Sequence, residues 1–195
     1  MSQGRKNKIA ITGHTRGIGK AIADLYKKKG FEVLGLSRSN GFDIVSQQEE
    51  IIEQIADCDL VVLNAHSGRA QLELLKRIYG KHCFDSMKVA VITSTSGTTQ
   101  GEDYNEFESW NKFEYVQYCE DKKELIGYIS DLQEELLAKP LCIYDVCPDV
   151  VDTEMTKGLW TNLPKLKASE VADAVRICFE STYNINKIVV QKNEK

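Results

Sequence analysis

The stretch Lys8-Ile9-Ala10-Ile11-Thr12-Gly13-His14-Thr15-Arg16-Gly17-Ile18-Gly19 decides the fold. Lys8 to Thr12 is a short apolar run that ends in a glycine-containing turn, which reads as a buried strand. Ala21 to Lys29 follows with a helical pattern, stopped by Gly30, a natural residue just past a helix end. Between strand and helix, the glycines permit a tight turn and let a pyrophosphate approach the backbone. The helix that follows presents free N–H groups and a positive dipole end to such an anion. Gly13, Thr15, Arg16, Gly17, Ile18 and Gly19 are therefore candidate dinucleotide-binding residues, with a purely structural turn as the alternative.

Outward from this turn the chain alternates strands and helices. Phe31–Leu36, Leu60–Leu63, Val89–Thr93, Leu141–Cys147 and Lys187–Val190 read as strands, nearly continuous in apolar character. Such runs suit a parallel sheet covered on both faces. Ser46 and Glu49 form a capping-box pattern ahead of Ile51, Ile52 and Ile55. Gln71–Tyr79 reads as a short helix, and Tyr118–Ala138 as a long one with Leu125, Ile126, Ile129, Leu132, Leu136 and Leu137 on its apolar side. Ser169 is placed to cap a helix running to Phe179. The expectation is an α/β fold: a single-domain, Rossmann-type, doubly wound parallel sheet over residues 1–195 with helices on both faces. Ser96 to Lys112 has no clear periodicity and is expected to be a functional loop.

Composition narrows the function. A net charge of −4 offers no electrostatic reason to expect nucleic acid or an anionic membrane as partner. No apolar run approaches the ~20 residues of a membrane span, and Met1–Lys8 lacks the apolar segment of a signal peptide. A cytoplasmic location is expected. The six cysteines form no CxxC pair and have no histidine at ligand spacing. They read as reduced structural thiols, with a redox or zinc role as the alternative and no metal site assigned.

Further motifs follow the glycine turn in order: Asp43-Ile44, Asn64-Ala65-His66, Ile92-Thr93-Ser94-Thr95-Ser96-Gly97, Tyr118-Cys119-Glu120-Asp121-Lys122, and Pro148-Asp149-Val150-Val151-Asp152-Thr153. Together with the glycine turn they resemble the short-chain dehydrogenase/reductase family, along nearly the whole chain and in the form of a compact member. The resemblance implies that Asp43 and Ile44 lie beside the adenine ring, and that Asn64 and Ala65 follow the strand that borders the cofactor. It further implies that Ser94, Tyr118 and Lys122 are catalytic, with Lys122 also binding the nicotinamide ribose. Pro148, Val151 and Thr153 match positions near the carboxamide, with ordinary loop residues as the alternative for the last two.

Cofactor choice turns on the end of the second strand. NAD-preferring members place an acidic residue there to bind the ribose 2′-hydroxyl. This chain has Ser37 and Arg38, with Arg16 in the glycine turn. Two guanidiniums can bind a 2′-phosphate, which a carboxylate would repel. NADP(H) is preferred and NAD(H) is the alternative; solvated surface charge is the competing reading of both arginines.

Residues four apart share a helix face, so Tyr118 and Lys122 can project into one cleft. A nearby ammonium is expected to lower the Tyr118 pKa and make the phenol a usable proton donor. Ser94 would polarise the substrate oxygen, with Ser96 as its rival. Tyr183 and Lys187 share the spacing but precede the terminal strand, and Tyr183 reads as structural.

Several positions depart from the family pattern. The relay asparagine on the helix after the fourth strand is missing, since no Asn occurs between Ala65 and Ser94. Asn105 and Asn111 are the substitutes at hand. Asp149 and His66 stand where glycine is usual, and Glu154–Lys167, normally a lid, is short. Leu159 and Trp160 either line an apolar pocket or pack on the sheet.

The resemblance implies an oxidoreductase moving hydride between NADP(H) and a small carbonyl or alcohol. A non-catalytic NADP(H)-binding regulatory or redox-sensing protein is the alternative, and a sugar-nucleotide epimerase or dehydratase a more distant one. It also implies self-association as a homodimer or homotetramer through the outer side of the Tyr118–Ala138 helix. A solvated face bearing Glu120, Asp121, Lys123 and Glu124 is the competing reading.

Overall fold

The structure, a computed structural model, describes residues 7–98, 112–158 and 161–192. Six parallel strands form one sheet: β1 (Lys8–Thr12), β2 (Glu32–Leu36), β3 (Leu60–Leu63), β4 (Lys88–Ile92), β5 (Cys142–Pro148) and β6 (Lys187–Val190). Their order is β2-β1-β3-β4-β5-β6, every neighbouring pair parallel. The helices are α1 (Gly17–Lys28), α2 (Gln48–Ile55), α3 (Ala70–His82), α4 (Lys112–Glu135) and α5 (Ala168–Glu180).

Alternation along the strands explains why the runs are apolar throughout. Ala10, Val61, Leu63, Val89, Val91 and Ile143 face a core shared with α2, α3 and α4. Ile9, Ile11, Val62, Ala90, Ile92 and Val146 face a second core against α1 and α5. With both faces covered, neither parity of the strand can be polar. The expected doubly wound α/β architecture is what the chain adopts. Its strand order reverses between β1 and β3, so the crevice beyond their carboxyl ends is the natural ligand site.

Local details differ from the sequence expectations. Helix α1 begins at Gly17, inside the glycine turn, rather than at Ala21. Ser46 does not cap α2; Gln47 stands at the cap position, and its Oε1 accepts from the Asp43 N–H at 2.7 Å. Ser169 does not cap α5 either. It lies within the first turn, where Glu170 Oε2 accepts from the Lys167 N–H at 2.6 Å. Neither serine hydroxyl is used as a cap: the Gln47 amide braces the chain upstream of α2, and Glu170 reaches back to the backbone N–H that precedes α5. Helix α4 begins at Lys112, so Tyr118 lies well inside it rather than at its start. Leu137, counted with the apolar side, is 76% exposed, because a tight turn over Leu136–Ala138 ends the helical register. On the outer face of α4, Glu120, Lys123 and Glu124 are exposed, but Asp121 is buried and accepts from Gln117 Nε2 at 3.2 Å.

All six cysteines are free thiols; in β5 Cys147 is buried and Cys142 is half-buried. Among the described residues, no helix is long and apolar enough to cross a membrane. Leu159, Trp160, Asn105, Asn111 and most of the Ser96–Lys112 segment lie outside the described residues.

Candidate active site

The glycine turn is held by a side chain that sequence reasoning passed over. Thr12, the last residue of β1, is buried, and its Oγ1 accepts from the backbone N–H groups of Asn64 (2.9 Å) and Ala65 (3.1 Å). Asn64 Nδ2 in return donates to the carbonyls of Thr12 and Gly13, both at 3.2 Å. These bonds lock the turn after β1 to the turn after β3 and keep the crevice between them. Inside the turn a Cβ on Gly19 would lie 2.2 Å from the Gly13 carbonyl oxygen, so only glycine lets helix and turn close on each other. Arg16, at the cap position of α1, makes no side-chain cap, and the first turn carries no acidic residue. The leading N–H groups of α1 therefore face the crevice without an internal anion.

Around this cradle, Thr15 and Arg16 are exposed and Ile18 is half-buried. Ser37, at the end of β2, is buried, and its Oγ bonds to Ser39 Oγ (2.9 Å) and Asn40 Oδ1 (3.0 Å). Arg38 is exposed, and among the described residues neither Arg16 nor Arg38 is paired with a carboxylate. Asp43 Oδ1 accepts from the Val45 N–H at 2.9 Å, while Ile44 packs in the core beneath. On the far side Pro148 ends β5, Val151 is buried and bridges to Leu166, and Thr153 comes up against the turn. Its Cγ2 would lie 3.3 Å from a Cβ on Gly17. Asp149 Oδ1 accepts from Thr95 Oγ1 at 3.1 Å.

Ser94, Tyr118 and Lys122 come together at the carboxyl end of β4. A short turn over Thr95–Gly97 follows the strand and lies directly on α4. A Cβ on Gly97 would fall 2.8 Å from the Lys122 carbonyl carbon, so glycine is what lets turn and helix touch. This contact sets the Ser94 side chain beside Tyr118, with which it forms a hydrogen bond. The rival Ser96 instead accepts from Tyr115 Oη at 3.4 Å. Lys122 Nζ lies 5.7 Å from the centre of the Tyr118 ring. Tyr183 is 81% exposed and precedes β6, away from this end of the sheet.

The electrostatics correct one expectation. The Tyr118 phenol is pushed up, not down: burial outweighs the opposing hydrogen bond from Ser94. The ammonium expected to lower it is itself tethered. Lys122 is 3% exposed and donates to Gln71 Oε1 (2.8 Å) and the Ile92 carbonyl (3.0 Å). Burial lowers its pKa to about 8, against the attraction of Asp121, Asp145 and Cys147. Asp145, buried in β5, is occupied by Thr93 and by Lys187 at 3.2 Å.

His66 stands edge-on to Tyr118, ring centres 4.9 Å apart, and burial with the nearby Lys122 charge takes its pKa down to about 3. The imidazole is therefore neutral at ordinary pH. Gln71, His66 and Thr12 carried no motif signal for their contacts. His66 in place of the usual glycine and the absence of the expected asparagine pointed to this region, but not to these contacts.

Comparison with known proteins supplies the rest. No family model matches the chain. It is 27% identical to the 3-oxoacyl-(acyl-carrier-protein) reductase FabG of Haemophilus influenzae, over 88% of each chain. It is 26% identical to the same-named protein of Vibrio cholerae, covering 79% of this chain and 78% of that one. In backbone it resembles a short-chain dehydrogenase/reductase from Vibrio parahaemolyticus (TM-score 0.73, 20% identity, 95% of this chain and all of that one). A second similar structure is the 3-alpha-hydroxysteroid dehydrogenase of Pseudomonas sp. B-0831 complexed with NADH (TM-score 0.74, 15% identity, 93% and 95%). The backbone likeness establishes the fold, and the curated relatives, at 26–28% identity over most of the chain, support a member of the short-chain dehydrogenase/reductase family.

Proposed function

We propose that the chain is an oxidoreductase that transfers hydride between NADP(H) and a small carbonyl or alcohol, with Tyr118 as general acid and base. One observation carries this reading: Ser94, Tyr118 and Lys122 meet at the strand edge beside an uncapped, acid-free helix start behind a glycine turn. The cradle fits a dinucleotide because Gly13, Gly17 and Gly19 leave the backbone bare where a pyrophosphate would lie against α1. Exposed Arg16 and Arg38, with no carboxylate at the end of β2, support NADP(H) over NAD(H). The oxo-group reduction named in the FabG relatives supports the carbonyl substrate.

The bound nicotinamide would supply the hydride. This chain's residues handle the oxygen. Ser94 Oγ hydrogen-bonds the carbonyl oxygen as negative charge grows there. The Tyr118 hydroxyl, already bonded to Ser94, gives its proton to that oxygen. In the alcohol-to-carbonyl direction Tyr118 takes the proton back. Lys122 holds positive charge behind the ring, which favours proton release to the carbonyl oxygen in the first direction and offers a donor to the cofactor ribose. Asn64 and Thr12 keep the two turns at a fixed distance, and Pro148, Val151 and Thr153 form the wall beside the glycine turn.

The test is NADPH oxidation over a panel of ketones and aldehydes by wild type and Tyr118→Phe. Loss of about 10²-fold or more in kcat is expected in the variant, with NADPH affinity within a factor of three of wild type. An unchanged rate removes Tyr118 from the reaction. A second reading, a non-catalytic NADP(H)-binding protein, is favoured by the His66 ring lying against Tyr118 where the family pattern has glycine. Micromolar NADPH binding with no turnover on any substrate would select it.

A further inference from the structure

Lys122 is held by a side chain that no motif assigns. Gln71 opens α3 and is 1% exposed. Its Nε2 donates to the Leu63 carbonyl at the end of β3 (2.8 Å) and to the Ile92 carbonyl at the end of β4 (3.1 Å). Its Oε1 accepts from Lys122 Nζ at 2.8 Å. The amide thus spans both strands bordering the crevice and ends on the ammonium. The Ile92 carbonyl is shared, since Lys122 donates to it as well.

Among the described residues, the rest of the surroundings gives the ammonium no side-chain hydrogen-bond acceptor. Five titratable groups act on it or lie against its site: Tyr118 on the same helix, His66 from the turn after β3, Asp121 beside it, and Asp145 and Cys147 from β5. His66 is neutral, and Asp145 is taken by Thr93 and Lys187. Asp121 accepts from Gln117. Among the described residues, Gln71 is the one side chain hydrogen-bonded to Lys122. An ammonium has three N–H groups; two are fixed by Gln71 and Ile92, which leaves the third for the cleft. A buried amide dipole on a charged donor is worth more than in water.

We infer that Gln71 is a positioning residue: its side-chain amide pins the Lys122 ammonium to the ends of β3 and β4, so that the charge stays protonated and beside Tyr118. The inference rests on the reading that Tyr118 and Lys122 carry the chemistry.

The experiment follows the Lys122 ammonium itself. The ¹³Cε signal of Lys122, assigned with Lys122→Met, is titrated in full-length wild type and in Gln71→Met, which keeps the length and removes the amide. The midpoint falls by about one pH unit in Gln71→Met. Carbonyl reduction at pH 7 then falls about twofold and recovers at pH 6, where the amine regains its proton. Should Gln71→Met not fold, Gln71→Glu keeps an acceptor, adds charge, and raises the midpoint. A folded Gln71→Met with the wild-type midpoint overturns the inference, as does an activity loss equal at pH 6 and pH 7. If the midpoint moves but wild type turns over no carbonyl, the proposed function fails, and the catalytic part of the inference fails with it.

Discussion

Replacing Lys122 by Met changes stability in a way that depends on pH, and the direction follows from burial. Lys122 is 3% exposed, and its pKa falls from 10.5 to about 8 in the folded protein. In the unfolded chain a solvated lysine titrates at its ordinary value. Between pH 8 and 10.5 the unfolded chain therefore holds a proton that the folded one has released, so wild-type stability rises with pH across that window. Below about pH 8 both states are protonated, and the folded state bears the whole cost of a buried ammonium. A gap of about 2.5 pH units corresponds to about 3 kcal/mol. Met at this position does not titrate. Its methylenes pack in the same space and leave Gln71 Oε1 without its donor, which costs about 1–3 kcal/mol at every pH. That loss shifts the variant's curve without tilting it.

Urea unfolding of both proteins at pH 7, 8 and 9 measures the tilt directly. Wild type gains about 1.5 kcal/mol on the variant between pH 7 and pH 9, roughly a tenfold change in relative folding equilibrium. Parallel curves would refute the reasoning, because they would mean that Lys122 titrates alike in both states and is not desolvated at the sheet edge.

Gly19→Ala places a Cβ against the Gly13 carbonyl and Asn64 Nδ2; it lowers stability by about 1–3 kcal/mol and abolishes NADPH binding by calorimetry. Arg16→Ala with Arg38→Ala weakens NADPH binding by tenfold or more and leaves NADH within about threefold; an equal loss for both would make these arginines surface charge. The His66 pKa of about 3 lies below its unfolded value, so the unfolded chain takes up the proton first as pH falls below 6.5. Wild type should lose stability relative to His66→Gln between pH 6.5 and pH 4 in urea titrations, and a constant difference would show the imidazole to be solvated.

What could be read from the sequence was whatever depends on neighbours along the chain. A five-residue apolar run before a glycine turn specifies a buried parallel strand, because both its faces need cover and its end needs a bare backbone. The order of strands and helices then gives the architecture. Helix starts were not legible from the hydroxyls: Gln47 stands at the start of α2 without capping it, and at α5 Glu170 reaches back to the Lys167 N–H, so Ser46 and Ser169 mark neither start. The early start of α4 was hidden because Lys112–Gln117 carries no clear apolar stripe.

The candidate site was legible as a set of residue types and not as a network. Ser94, Tyr118 and Lys122 announce themselves by spacing, but the Tyr118 pKa does not follow from having a lysine four residues on. Its direction is decided by burial, and burial is set by His66 and β5, which belong to other parts of the chain. The same holds for Lys122, whose partner Gln71 lies 51 positions away and looks, in sequence, like any polar residue at a helix start. A missing motif residue is therefore ambiguous by itself. Loss of the asparagine would argue for lost function if the ammonium were left unsupported in a dry site. Here an amide from a different turn of the fold reaches it, so the absence says less about activity than the contact does. The departure that touches the phenol directly is His66, which stands edge-on to it and carries no charge at neutral pH.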